Sequence, residues 1–336
     1  MAYYISTLLV LFVSYAILGL GLNVQYGLAG VLNFGYYLFF AIGAYVGGIT
    51  ALGSDKGPVP TLFQEVYAWN LPVHLPYPFT VLSAVVVAGV FSVGVGLLVL
   101  RSVRDDFGAL MTFVIFLTMF TLIGAYASLF NGYIGISGVP SPVSNPELWY
   151  PIVSFGWLAI SWLLVAAVTR SPYGRVLKSI RERPDAAAAL GKNVRLYRLS
   201  AFILGNCLAA LSGALLVGFI GAWSPLSWQE AETLVVFSIV IVGGRGNNVG
   251  VVLGAAVVGV GINEAVVFLP AVTSDPGLIP SVQWVLIGII TIAFLWVRPR
   301  GLIPERKAKW PWVDSKPGEV SGGSLLRRIR KGEGGK

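Results

Sequence analysis

The 336 residues are 56% hydrophobic and only 11% charged, with a mean hydropathy of +0.79. Soluble domains carry roughly 25% charged residues, so a water-soluble globular protein is excluded. A single cysteine (Cys207) excludes an internal disulfide, and a single histidine (His74) excludes a histidine-based metal cluster.

In chain order, the opening stretch MAYYISTLLVLFVSYAILGLGL lacks a positive leader region and is too long for a signal core, which predicts a retained first span. With that run at about 3–22, further apolar runs at about 35–52, 79–100, 107–128, 150–169, 199–222, 249–270 and 281–297 make eight. Each meets or approaches the roughly 18 residues that a bilayer crossing needs. Backbone in lipid must satisfy its own hydrogen bonds, and Gly- and Ala-rich runs without strand alternation predict helices rather than barrel strands. Two more apolar stretches, about 24–34 and 231–243, are short and Gly-interrupted, the form of half-helices or re-entrant pieces. The expected fold is an all-α polytopic membrane protein with about eight full transmembrane helices, two short or broken Gly-rich segments and room for an internal two-fold repeat. Residues 1–304 are expected to form the transmembrane domain, with 170–198 a cytoplasmic loop within it and 305–336 a basic, flexible cytoplasmic tail.

The net charge of +8 invites a nucleic-acid reading, but its placement points to topology instead. Of the 23 Lys and Arg, all but Lys56 and Arg245 fall at Arg101 and Arg104, between Arg170 and Arg198, or from Arg298 to Lys336. Short loops rich in Lys and Arg stay in the cytoplasm. The three regions are therefore expected inside, with loops 53–78, 129–149, 223–230 and 271–280 outside, and span parity puts Arg245 inside. No nucleic acid is expected as a partner. Membrane lipid is, and the LLRRIRK stretch of the tail suits anionic headgroups.

Four motifs carry chemistry. In NVQYGLAGVLNFGYYLFFAIGAYVGG (23–48), glycines including Gly27 and Gly30 suit close helix packing. Asn23, Gln25 and Asn33 are amides in an apolar segment and need partners, which favours an interrupted helix beside Tyr26 that lines a pathway. The outer stretch FNGYIGISGVPSP (130–142) reads as a turn, or as a cover over substrate arriving from outside. In RSPYGRVLKSIRERPDAAAALG (170–191), Pro184 opens a short Ala-surfaced helix, a knob suited to a protein groove. IVGGRGNNVGVVLGAAVVG (241–259) has G-x-G-x-x-x-G spacing without a βαβ context, which excludes a dinucleotide loop. Instead, Gly246 precedes Gly254-Ala255-Ala256-Val257 by eight residues, as Gly35 precedes Gly43-Ala44-Tyr45-Val46. Such paired breaks point to a midplane site, which adds Gly243, Gly244 and Gly246 to the pathway residues. Glu264, inside the 249–270 run, is either a functional carboxylate or one that reaches the interface. The lone histidine lies in an outer loop, so no catalytic site is expected. No G-x-x-x-x-G-K-[ST] loop is present, so an ATP drive has to come from another chain.

Residues 15–304 resemble the LivM/LivH-type permeases, membrane subunits of ABC importers for branched-chain amino acids, with urea and amide transporters in the same group. The resemblance rests on YGLAGVLNFGYYLFFAIGAY, SPYGRVLKSIRERPDAAAALGKNVRLYRLSAF, IVGGRGNNVGVVLGA and RPRGLI, in that order, and is closer to LivM. It implies that Asp185, Ala186, Ala187 and Gly191, flanked by Arg181 and Glu182, form the helix that docks on an ATPase; Asp185 stands where the family usually has Glu. It also implies two cytoplasmic ATPases that bind ATP and Mg, a second LivH-like permease and an external solute-binding protein. The expected function is import of branched-chain amino acids across the cell membrane, by a chain that holds no cofactor or metal of its own. The alternatives are a urea or short-amide permease and a stand-alone secondary transporter.

Overall fold

The computed structural model describes residues 2–52, 75–101, 105–126, 132–227, 229–262, 278–298 and 301–305. Among them the chain is almost wholly helical. The helices are α1 (Ala2–Leu22), α2 (Tyr36–Leu52), α3 (Phe79–Val99), α4 (Asp105–Ala125), α5 (Pro146–Arg170), α6 (Pro172–Glu182) and α7 (Pro184–Ala189). After these come α8 (Val194–Ile220), α9 (Glu230–Gly243), α10 (Asn248–Gly254) and α11 (Leu278–Val297). Two short strands, β1 (Ile136–Ser137) and β2 (Ala222–Trp223), pair antiparallel with Ile136 opposite Trp223.

Six described helices are long and apolar enough to cross a membrane. They are α1 with its continuation to Leu28, α3, α4, α5, α8, and α9 with the turn that precedes it. Shorter apolar helices lie at Tyr36–Leu52, Asn248–Gly261 and Val285–Val297. The stretch at 231–243 is short, as expected, and forms the regular 14-residue helix α9, which a 3-10 turn at Pro225–Ser227 precedes. The stretch at 24–34 is indeed interrupted. Asn23–Leu28 prolongs α1 as a π-helix, and the chain then runs irregularly until α2. The 249–270 run is likewise α-helical only to Gly254 and π-helical from Ala255 to Ile262.

The core forms where small residues let backbones meet. A Cβ on Gly43 of α2 would lie 2.0 Å from the Ala210 carbonyl of α8, and one on Gly213 would lie 2.0 Å from the Phe40 carbonyl. Without a hydrophobic drive between helices in lipid, such close van der Waals packing holds them together. α1 and α8 are the most buried spans, while α3, α4 and α5 turn wide apolar faces outward, including Val90, Leu98 and Leu163. In lipid that exposure carries no penalty.

Two ends can be distinguished. At one, Tyr3 of α1 stacks on Phe219 near the end of α8, beside the β1–β2 pair. At the other, Arg195 at the start of α8 donates to the Leu97 carbonyl at the end of α3, and α6–α7 joins α5 to α8. The described Lys and Arg residues, from Arg101 through Arg170–Arg198 to Arg245 and Arg298, lie at this second end. α6 is amphipathic. Ser171 caps it by accepting from the Gly174 amide, Pro172 opens it, and Leu177 and Ile180 are buried on one face. Tyr173 anchors it to α8 through Ser200 at 2.5 Å and by stacking on Tyr197.

Candidate functional site

The two interrupted stretches meet at the basic end. Asn23 accepts from the Gly246 amide at 2.8 Å and donates to Asn248 at 3.0 Å, and Asn248 in turn donates to Thr169 of α5. Gly27 permits this approach, because a Cβ there would lie 2.0 Å from Asn23 Oδ1 and 3.0 Å from the Gly246 nitrogen. Gln25 donates to the Phe202 carbonyl at 2.8 Å and to Asn206 Oδ1 at 2.7 Å. Asn33 donates to Gln25 and to Asn206, each at 3.1 Å, and Asn206 donates to Ser92 of α3 at 2.8 Å. Asn23, Gln25 and Asn33 are fully buried. The amides expected along a pathway are thus bonded to protein partners and tie the broken segment to α8 and α3. Asn33 Oδ1 is the one side-chain amide atom of Asn23, Gln25, Asn33 and Asn206 without a hydrogen-bond partner among the described residues, and the remaining bonds of this buried network favour one arrangement of the segment.

The 243–248 break is built from glycines and from the segment after α11. Gly244 has φ 121 and Gly246 φ 82, and a Cβ on Gly243 would lie 2.4 Å from the Gly250 carbonyl. Leu302 donates to the Val242 carbonyl at 2.8 Å and Ile303 to that of Gly243 at 3.1 Å. They satisfy carbonyls that the end of α9 leaves without helical partners. Asn247 caps α10 by accepting from the Val249 and Gly250 amides, and it donates to the Pro304 carbonyl. Arg245 lies 4.3 Å above the ring of Tyr26, a cation–π contact. Tyr26 in turn meets Phe237 of α9 edge-on, and Phe34 packs on the same ring. Tyr26, Gly30 and Phe34 keep partial exposure on this face.

α6 and α7 separate into inward- and outward-facing parts. Of α7 only Ala187 is buried; Asp185, Ala186, Ala188 and Ala189 are exposed, and Leu190 is 81% exposed. Gly191 ends the helix at φ 75, and a Cβ there would meet nothing within 4 Å. The glycine thus answers to backbone conformation, as at many helix ends, and not to space. Glu182 is exposed, with Arg181 at 3.7 Å. The Arg181 side chain is only 12% exposed, and its guanidinium donates to the Gly27 carbonyl. Gly30, at φ 72, lets the Arg181 stem pass, with Cγ 3.1 Å from where a Cβ would sit.

Glu264 lies outside the described residues. Sequence reading passed over Asn206, Ser92 and Thr169, polar residues within apolar helices whose polarity was itself the available signal. It also passed over Glu232 of α9, a carboxylate in an apolar stretch that accepts from the Tyr15 hydroxyl at 3.4 Å. No group of three or more metal-ligating side chains occurs among the described residues.

No solved structure matches this chain. It is 26% identical to the probable branched-chain amino acid transport permease protein LivM of Methanocaldococcus jannaschii, over 95% of this chain and 98% of that protein. It is 27% identical to the high-affinity branched-chain amino acid transport system permease protein LivM of Escherichia coli K12, over 92% of this chain and 71% of that protein. The LivH protein of the same E. coli system is 25% identical over 74% of this chain and 80% of its own length. The family model described as branched-chain amino acid transport system, permease component, matches residues 4–295, and the chain belongs to that family.

Proposed function

We propose that this chain is one of two permease subunits in an ABC importer that carries branched-chain amino acids across the cell membrane. ATP is hydrolysed by two cytoplasmic partner subunits, and substrate is delivered outside by a solute-binding protein. The observation that carries this reading is α7: a short helix with exposed alanines and an 81% exposed Leu190, held out at the end where the described Lys and Arg residues gather. Exposed apolar surface at the membrane edge among charges suits a protein groove better than water or lipid. The gathering of positive charge supports a cytoplasmic placement for α6–α7 and for the segment after α11. The names of the LivM and LivH relatives support the substrate class and the pairing with a second, LivH-like permease.

On this reading Asp185, Ala186, Ala187 and Gly191 form the docking element, and the partly exposed face of Tyr26, Gly30 and Arg245, with the buried Gly244 behind it, borders the pathway. An amino acid is a zwitterion, and this face offers backbone amides, aromatic rings and one guanidinium, few fixed charges to hold it tightly. A permease gains from weak binding, because substrate must leave as well as enter.

The test is reconstitution of the chain in proteoliposomes with its second permease, ATPases and binding protein, followed by uptake of labelled leucine. ATP-dependent uptake is expected only from the full assembly. Leucine uptake by this chain alone would instead make it a stand-alone carrier, and urea transport without leucine transport would move the substrate class.

A further inference from the structure

We propose that Arg181 is the positioning residue that transmits movement of the α6–α7 pair to the π-helical segment Asn23–Leu28, and so to the second break at 243–248. The inference rests on the reading of α7 as the ATPase-docking element and adds the route from that element into the membrane core.

Three observations carry it. First, Arg181 points inward while its neighbours point outward: its side chain is 12% exposed, whereas Arg175, Arg183 and Asp185 are exposed. A guanidinium is costly to bury unless its donors are met, so its bond to the Gly27 carbonyl holds α6 to one spot. Second, that carbonyl belongs to the last turn of a helical element, where carbonyls lack helical partners. Gly30, at φ 72, leaves the space beside it that the Arg181 stem occupies. A Cβ at position 30 would be strained and would press on that stem. Third, Gly27 sits against Gly246, Asn23 bonds the Gly246 amide, and Tyr26 lies under Arg245. A displacement of Gly27 therefore cannot leave the 243–248 break in place. The large buried side chains of α6, Leu177 and Ile180, are apolar, and apolar packing can slide without a set register. The bond from Arg181 has a fixed direction and a fixed acceptor.

A π-helical stretch makes this segment suited to move, because its hydrogen bonds differ from those of an α-helix by one residue in spacing and such stretches tend to occur at functional sites. Coupling between distant sites needs such an element with two discrete arrangements.

The test uses the full assembly in proteoliposomes, with Arg181→Met, Arg181→Lys and the exposed control Arg183→Met. Three quantities are measured: ATPase subunits retained on purification, ATP hydrolysed, and leucine taken up per ATP. Arg181→Met is expected to keep its ATPases and their hydrolysis while uptake per ATP falls about tenfold, the scale of coupling changes along such a route. Arg181→Lys, which can still donate to Gly27, should recover part of that loss, and Arg183→Met should behave as wild type. In the unmodified assembly, trapping the ATPases with ATP and vanadate should also change hydrogen exchange in residues 23–31. Normal uptake per ATP in Arg181→Met, or unchanged exchange at 23–31 on trapping, would overturn the proposal. Loss of the ATPases from Arg181→Met would do so too, since it would place Arg181 in the docking surface. If no ATPase binds the unmodified chain, it is the importer reading that fails.

Discussion

The buried amides show how single side chains hold an irregular backbone inside a membrane protein. Gln25 donates to Phe202 and Asn206 and accepts from Asn33, so Gln25→Leu removes three bonds at once. A buried polar group left without a partner costs about 1–3 kcal/mol, although interhelical bonds in membranes average about 0.6 kcal/mol. We therefore expect Gln25→Leu to lower the thermal midpoint of the detergent-solubilised chain. Asn206→Leu should add less in that background than it does alone, since residues of one network are not additive. Fully additive shifts in a double-mutant cycle would deny the network. Asn23, Gln25 and Asn33 stand out in the sequence as amides among apolar residues. Their partners do not: Asn206 is 173 positions beyond Asn33, and nothing local to either residue names the other.

At the scale of elements, two kinds of glycine behave differently. Gly43 is needed because α8 backbone lies against it, whereas a Cβ on Gly156 of α5 meets nothing within 4 Å. Gly43→Leu should abolish the monodisperse peak in size-exclusion chromatography and Gly156→Leu should preserve it; equal yields would contradict the packing described for α2 and α8. Gly191 is needed for its positive φ. A left-handed backbone costs other residues roughly 1–2 kcal/mol, so Gly191→Val should fold normally yet bind its ATPase about fivefold to thirtyfold more weakly. A binding assay with the purified ATPase checks this, and unchanged affinity would separate the shape of the 184–191 turn from docking. The start of α7 at Pro184 was legible from local chemistry. The π-helical stretch after Leu22 was not, because Asn23–Leu28 differs from α1 in hydrogen-bond spacing, which its local sequence does not spell out.

For the whole molecule, the arrangement of charge sets a direction that can be measured. Leu190 beside α7 and Leu226 beside β2 lie at opposite ends and are 81% and 63% exposed. In a Cys207→Ala background, a membrane-impermeant maleimide applied to right-side-out vesicles should label Leu226→Cys and spare Leu190→Cys. Inverted vesicles should give the reverse. Labelling of Leu190→Cys from outside would invert the orientation proposed from the basic loops.

Helical class, membrane residence, the places of most spans and the two glycine-rich breaks were all legible in the sequence. Each follows from composition or spacing within one stretch, where bilayer thickness and backbone hydrogen bonding leave few choices. That the two breaks bond to each other, that Gln25 and Asn33 reach Asn206, and that Arg181 turns inward to Gly27 while Asp185 faces out were decided only by tertiary structure. These depend on which distant helices lie side by side and in which rotation. Close packing of small residues along α2 and α8 sets that arrangement, and no single stretch of sequence contains it.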